Sequence, residues 1–151
     1  MITITTATEN DLLVLYDIQR EAISPPWSYE VFRDEFLRPD SFFCVVFDDK
    51  KPSGYCILRH VSDDEGEIFS IAVDKHARRQ GFGDALMKMA LHHAKGNGLK
   101  SIYLEVRESN ETAIALYKSS GFETVGRRKN YFDPIQDQPP EDALIMTKVI
   151  T

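Results

Sequence analysis

From Ile2 to Ala7 apolar and polar positions alternate with the period of two that a strand with one buried face requires. The spacing then turns helical. Leu12, Leu15, Tyr16 and Ala22 follow Thr8-Glu-Asn-Asp11, whose acid three residues after the threonine has capping-box spacing, so a helix is predicted there with those residues toward a core. Ser28 is placed to cap a second helix. Trp27 before it and Phe32 after it have the spacing of a hydrophobic staple, which makes Pro25-Pro-Trp-Ser28 a rigid turn. Phe42 to Phe47 and Gly54 to Val61, parted by the polar run Asp48 to Ser53, predict an antiparallel hairpin.

The next apolar strand, Ile68 to Val73, runs into a basic, glycine-bearing turn. A helix from Gly81 places Phe82, Leu86, Met89, Ala90 and His93 on one face and stops at Gly96-Asn-Gly98. Ser101 to Val106 reads as a strand with Ile102, Leu104 and Val106 on one side and Tyr103 and Glu105 on the other. A helix from Asn110 to Ser119 follows, then closing strands from Phe122 to Arg128 and from Asp142 to Val149. No internal repeat or dividing linker interrupts the chain, so residues 1–151 are expected to form a single domain. A run of strands followed by strand-helix-strand-helix-strand implies an α/β fold with a mixed sheet flanked by helices.

Composition narrows the function classes. With 42% apolar residues in 151, one core is affordable, and 18 Lys and Arg against 24 Asp and Glu give a net charge of −6. That balance argues against nucleic acid as the main ligand and favours a cationic substrate, or serves solubility alone. No segment approaches a membrane span, and the N-terminus lacks the basic and apolar regions of a signal peptide, so a cytoplasmic location without membrane association is expected. Cys44 and Cys56 lie inside apolar strands and read as buried thiols. His60, His76, His92 and His93 form no i, i+4 pair or ligand cluster, so no metal is expected.

Candidate chemistry concentrates after Val73. A helix start presents unpaired N–H groups and a positive dipole end, and Gly81 and Gly83 would let an anion approach the backbone, with Arg78 and Arg79 adding charge. A dinucleotide fingerprint would need a small residue where Leu86 stands, and a Walker loop would need Gly-Lys-Ser/Thr, which is absent. The run Arg78-Arg-Gln-Gly-Phe-Gly83 instead resembles the pyrophosphate loop of the GNAT acyl-CoA-dependent N-acetyltransferases. A second run, Asn110-x-x-Ala-x-x-x-Tyr117-x-x-x-Gly-Phe122, resembles the final motif of that family. The resemblance implies a single-domain GNAT fold, with a mixed, mostly antiparallel sheet of about seven strands and about four helices, and acetyl-CoA as co-substrate.

By that resemblance Arg78, Arg79, Gln80, Gly81, Phe82, Gly83 and Asp84 hold the pyrophosphate, and Asn110 contacts the pantetheine arm. Backbone N–H groups around Ile71, Ala72 and Val73 hold the thioester carbonyl, and Tyr117 stabilises the leaving thiolate. Further runs, among them Pro26-Trp-Ser28, Leu104-Glu-Val-Arg107, Arg127-Arg-Lys-Asn-Tyr131 and Glu141-Asp-Ala-Leu-Ile-Met146, resemble the RimI branch, which acetylates the N-terminal alanine of a small-subunit ribosomal protein. Glu105 is then the base for an α-amino group, whose ordinary pKa is about 8, and Glu67 on the preceding strand is its rival. Trp27, Tyr131 and Asp142 are the acceptor-side candidates, as groove wall, peptide clamp and partner of the α-ammonium or a basic side chain. Phe132 and the loop from Pro134 to Pro140 depart from the branch's pattern there.

Three readings stay open on sequence: an N-terminal acetyltransferase acting on a ribosomal protein, an acetyltransferase of lysine side chains or polyamines, and a noncatalytic acyl-CoA-binding module. A monomer or weak dimer without direct nucleic-acid contact is expected.

Overall fold

Thr8 ends the first strand, because its backbone N–H donates to the Asp11 carboxylate at 2.8 Å instead of to a neighbouring strand. β1 (Ile2–Thr6) is therefore one residue shorter than expected, and a single 3-10 turn, Glu9–Asp11, precedes α1 (Leu12–Ala22). Leu12, Leu15 and Ile18 make the buried stripe of α1, while Ala22 is exposed, since the helix is already leaving the sheet there. Gln19 shares that buried face, and neither of its side-chain amide atoms has a hydrogen-bond partner among the described residues. The computed structural model describes residues 1–134 and 137–151, so part of the Pro134 to Pro140 loop lies outside the described residues.

Ser28 caps α2 (Tyr29–Leu37) by accepting from the Val31 N–H, as its sequence position implied. The staple is present too, with the Trp27 and Phe32 rings 6.3 Å apart. The hairpin strands β2 (Ser41–Asp48) and β3 (Lys51–His60) are longer than their apolar runs. Their ladder continues through polar Asp48 and Lys51 to a tight turn at Asp49, whose φ of 56° closes it, and a bulge before Phe47 accommodates Pro52.

β4 (Glu65–Val73), α3 (Phe82–Gly96), β5 (Ser101–Arg107), α4 (Glu111–Ser119), β6 (Glu123–Phe132) and β7 (Glu141–Val149) complete the chain. The seven strands form one sheet in the order β1-β2-β3-β4-β5-β7-β6, in which only β4 and β5 run parallel. Two apolar layers cover it. Leu12, Leu15, Phe32, Phe43, Val45, Tyr55 and Ile57 pack under α1 and α2. Leu86, Met87, Ala90, Ala94, Ile102, Leu104 and Tyr117 pack on the other face under α3 and α4. Met87 and Ala94 hold core positions of α3, leaving the expected Met89 and His93 only half-buried at its flank. Cys44 and Cys56 are buried free thiols in that layer. No helix among the described residues is long and apolar enough to cross a membrane.

His93 is half-buried for a polar reason. Its Nε2 lies 2.9 Å from Nε2 of His60, and its ring stacks on Phe42 with centroids 3.8 Å apart. Burial, then the charge His60 would carry, lowers the His93 pKa. The unfolded chain accepts the proton near the ordinary value of 6.5 while the fold resists it, so this contribution is intact above that pH and lost as pH falls below it. The urea midpoint should therefore decline below about pH 6.5, with a shallower decline in His93→Gln. Equal slopes in both proteins would rule this origin out.

Candidate active site

β4 and β5 pair at three register positions only, Glu65 with Ser101, Gly66 with Ile102 and Glu67 with Tyr103. Beyond Glu67 and Tyr103 the strands diverge. β5 stays paired to β7 over its whole length, and the β3–β4 register slips at Phe69, where a bulged residue increases local twist. The Asp74 N–H donates to the Ser53 carbonyl at 2.8 Å, so by antiparallel alternation Ala72 turns its backbone groups to β3 while Ile71 and Val73 turn theirs into the opening. Of the three residues expected to meet a thioester carbonyl, Ile71 and Val73 are thus the ones able to do so. Ala72 instead packs into the α1–α2 layer.

Below this opening the chain makes the anticipated turn. Arg79 and Gly81 have φ of 64° and 81°, and Gly81 is the N-cap of α3 with no side chain to satisfy its first amides. The first intrahelical bond is donated by Ala85 to Gly81, so the N–H groups of Phe82, Gly83 and Asp84 lack an intrahelical acceptor. Apart from its own residue, its chain neighbours and the adjacent helix backbone, no atom lies within 4 Å of where a Gly81 Cβ would stand, and that side of the turn is open to an anion. Gly83 has another duty: a Cβ there would sit 3.3 Å from a Leu116 methyl, so its smallness lets α3 meet α4. Arg78 leans away, its guanidinium on Glu21 at 2.9 Å and its Nε on the Val73 carbonyl at 3.2 Å. Arg79 and Gln80 are exposed, the Asp84 carboxylate faces Lys88 at 3.2 Å, and Phe82 is buried beneath the turn.

Asn110 caps α4 by accepting from the Ala113 N–H at 3.2 Å, which uses its side-chain carbonyl and leaves its NH2 available. Tyr117, two turns on, is buried beside Phe122. Burial, reinforced by the nearby Cys56 thiol, pushes its phenol above the ordinary tyrosine range, so it stays protonated at neutral pH.

The two candidate carboxylates lie on the sheet face opposite α3, because Ile102, Leu104 and Val106 turn to α3 and Tyr103 and Glu105 the other way. Glu105 faces Arg128, with Nε 3.3 Å from its Oε1, and the Tyr131 phenol lies near enough to feel its charge. That carboxylate, more than burial, raises the Tyr131 pKa. Glu67 sits where the strands part. Desolvation raises its pKa against a hydrogen bond from Tyr103, and the Glu105 charge adds to the rise. Arg59, its register neighbour on β3, is committed elsewhere: both ends of its guanidinium bond the Glu35 carboxylate.

On the acceptor side, Trp27 lies 5.3 Å from the bulged Phe69 and Tyr131 is half exposed beside Glu105, which puts both near the opening. Asp142 is not brought to it as a free carboxylate. Its oxygens take the Arg127 guanidinium at 2.8 Å and the Asn130 N–H at 2.9 Å, an arrangement that holds the β6–β7 irregularity and keeps its pKa low. No group of three or more metal-ligating side chains occurs among the described residues.

Glu35, Arg59 and Tyr103 were not anticipated. Glu35 could have been noticed, because it stands three residues after Phe32 on the stripe that faces the core. Arg59 likewise follows Tyr55 and Ile57 at strand period. Only the pairing of β3 with β4 and of β4 with β5 makes Arg59 and Tyr103 neighbours of Glu67, and Glu35 joins them through its bonds to Arg59.

A family model described as Acetyltransferase (GNAT) family matches residues 10–122. The chain is 35% identical over 151 residues to the ribosomal protein bS18-alanine N-acetyltransferase of Escherichia coli strain K12, covering 100% of this chain and 99% of that one. It is also 35% identical over 137 residues to a putative enzyme of the same name from Bacillus subtilis, over 90% of this chain and 87% of that one. The crystal structure of the Escherichia coli ribosomal-protein-S18-alanine N-acetyltransferase matches with a TM-score of 0.91 at 36% identity, over 100% of this chain and 95% of that one. Diverging parallel strands, an open glycine turn at a helix start and a buried tyrosine on the following helix thus coincide with a family match over most of the sequence. The chain belongs to the acetyltransferase (GNAT) family, and its chemistry is acyl transfer.

Proposed function

We propose that this enzyme transfers acetyl from acetyl-CoA to a protein N-terminal α-amino group, and that its acceptor is the N-terminal alanine of a small-subunit ribosomal protein. The observation that carries acyl transfer is the divergence of β4 from β5, with the N–H groups of Ile71 and Val73 turned into the gap on one bank and Glu105 on the other. The acceptor reading is supported by full-length likeness to the Escherichia coli enzyme, which is named for alanine acetylation on bS18. Acetyl-CoA supplies the acetyl group and a thiolate leaving group.

The residues present fit that co-substrate. The amides of Phe82, Gly83 and Asp84 and the open flank of Gly81 suit a pyrophosphate, and Arg79 and Gln80 are free to close on it. Asn110 offers an NH2 donor to an amide-bearing arm. The Ile71 and Val73 N–H groups stand ready to donate where negative charge develops on a carbonyl oxygen. Glu105 takes the proton of the attacking amine, directly or through water, and Arg128 and Tyr131 orient it. Tyr117 donates a hydrogen bond to the leaving sulfur. Even at ordinary pKa values of about 10 and 8.5, full transfer from the phenol would be uphill by roughly 2 kcal/mol. Burial makes it more so, which favours donation without transfer.

CoA release is the assay. An alanine-starting peptide should be turned over, whereas the same peptide with its N-terminus blocked and an internal lysine added, and spermidine, should not. Turnover of the lysine peptide or spermidine alone would discard the N-terminal reading.

A further inference from the structure

Arg107 is the last residue of β5, on the same face as Glu105, and its side chain is only 15% exposed. It touches Ser24, Asp133 and Glu141, each remote from it in sequence. Nη2 donates to the Ser24 carbonyl at 3.0 Å, both terminal nitrogens donate to the Asp133 carbonyl at 3.3 Å, and Nη1 lies 3.2 Å from the Glu141 carboxylate. Its plane also sits over the Phe132 ring at 4.6 Å.

Those segments flank the opening. The α1–α2 connection touches β4 at one end, where Trp27 meets Phe69, and β5 at the other, where Ser24 meets Arg107, so it bridges the strands where they part. Asp133 follows directly on β6, whose Arg128 and Tyr131 face Glu105. An acceptor reaching Glu105 from this face passes between the bridge and the end of β6. Among the described residues no hydrogen bond joins one wall directly to the other, and both are tied through the Arg107 side chain.

The geometry points to Arg107 as a positioning residue for the acceptor: by clasping the Ser24 and Asp133 carbonyls it sets the width and register of the acceptor entrance without touching the reacting atoms. The inference rests on the proposed function in one respect, that the acceptor enters on the Glu105 face. The planar fork is what the role requires, because five fixed donors serve several acceptors where a lysine ammonium reaches fewer.

Arg107→Met and Arg107→Lys, each compared with wild type, test it by two readouts. Steady-state kinetics on whichever acceptor wild type turns over should show KM for the acceptor raised about tenfold in Arg107→Met, with KM for acetyl-CoA and kcat at saturating acceptor within about threefold. Arg107→Lys should recover part of the loss. Amide exchange should rise in residues 23–28 and 131–134 together while the α3 core stays protected. An unchanged acceptor KM, or a loss shared equally by both substrates, overturns the positioning role, and unchanged exchange in either segment overturns the clasp. The exchange readout needs no acceptor. Failure of wild type on every α-amino peptide would therefore sink the proposed function while leaving the clasp to be judged by exchange, and its entrance role by the acceptor that is turned over.

Discussion

Glu105→Gln is expected to lower kcat by about 10²–10⁴-fold at saturating acetyl-CoA, the range that loss of a positioned general base covers. The substitution keeps the shape of the side chain and one carbonyl oxygen, so it removes basicity with little disturbance of packing. Glu67→Gln should cost less than about threefold, because Glu67 stands at the last β4–β5 register pair, where the gap is still closed, while Glu105 lies two residues further into it. The two acids differ in what surrounds them. Glu105 has the Arg128 cation against its carboxylate, whereas Arg59, the register neighbour of Glu67, is tied to Glu35. A large kcat loss confined to the Glu67 variant would reverse the assignment. In the same assay Tyr117→Phe should lose about 10–100-fold, the worth of a hydrogen bond to a charged sulfur, if chemistry limits turnover. Wild-type kcat in that variant would remove Tyr117 from the mechanism.

Arg59→Met should be the most damaging single change to stability away from the apolar core, at about 3 kcal/mol. Glu35 is 5% exposed and its carboxylate accepts from Arg59 and from the Ser41 hydroxyl at 2.7 Å. Removing the guanidinium leaves that charge enclosed, with Arg38 at 3.9 Å as its remaining cation. It also strips the cation that lies over Phe69 at 3.8 Å, at the bulge that turns Ile71 and Val73 to the opening. For a chain of this size the melting temperature should fall by roughly 6–12 °C. The double variant Glu35→Met, Arg59→Met should recover most of the loss, since an apolar pair lacks the desolvation penalty of an unpaired charge. A double variant as unstable as Arg59→Met would show that side-chain packing, rather than the stranded carboxylate, sets the cost.

Most elements were legible in the amino-acid order because their causes are local. Ser28 and Asn110 cap the helices they precede, Gly81 begins α3, and Ile102, Leu104 and Val106 point one way because a strand has a period of two. The misread details have causes outside their own segments. The hairpin's polar turn hid ladder positions that only the partner strand satisfies, and Met87 displaced Met89 from the core of α3 because the sheet beneath selects the face. The pair His60 and His93 spans 33 positions, which no local periodicity registers.

The candidate site divides along the same line. Sequence alone determined the candidate groups that are defined by backbone and helix geometry, the glycine turn, the α3 N-terminus and the Asn110 to Tyr117 spacing, since these follow from a few consecutive residues. Only tertiary structure decided which amides are available, because Ala72 loses its N–H to β3 while Ile71 and Val73 turn theirs into the gap. It likewise decided that Asp142 and Arg78 are committed to neighbours, that Glu35 withdraws Arg59 from Glu67, and that Arg107 joins two distant loops. The physical reason is common to all: a side chain's chemistry is set by which charges and hydrogen-bond partners packing brings within about 3–4 Å, and those partners come from strands and loops remote in sequence.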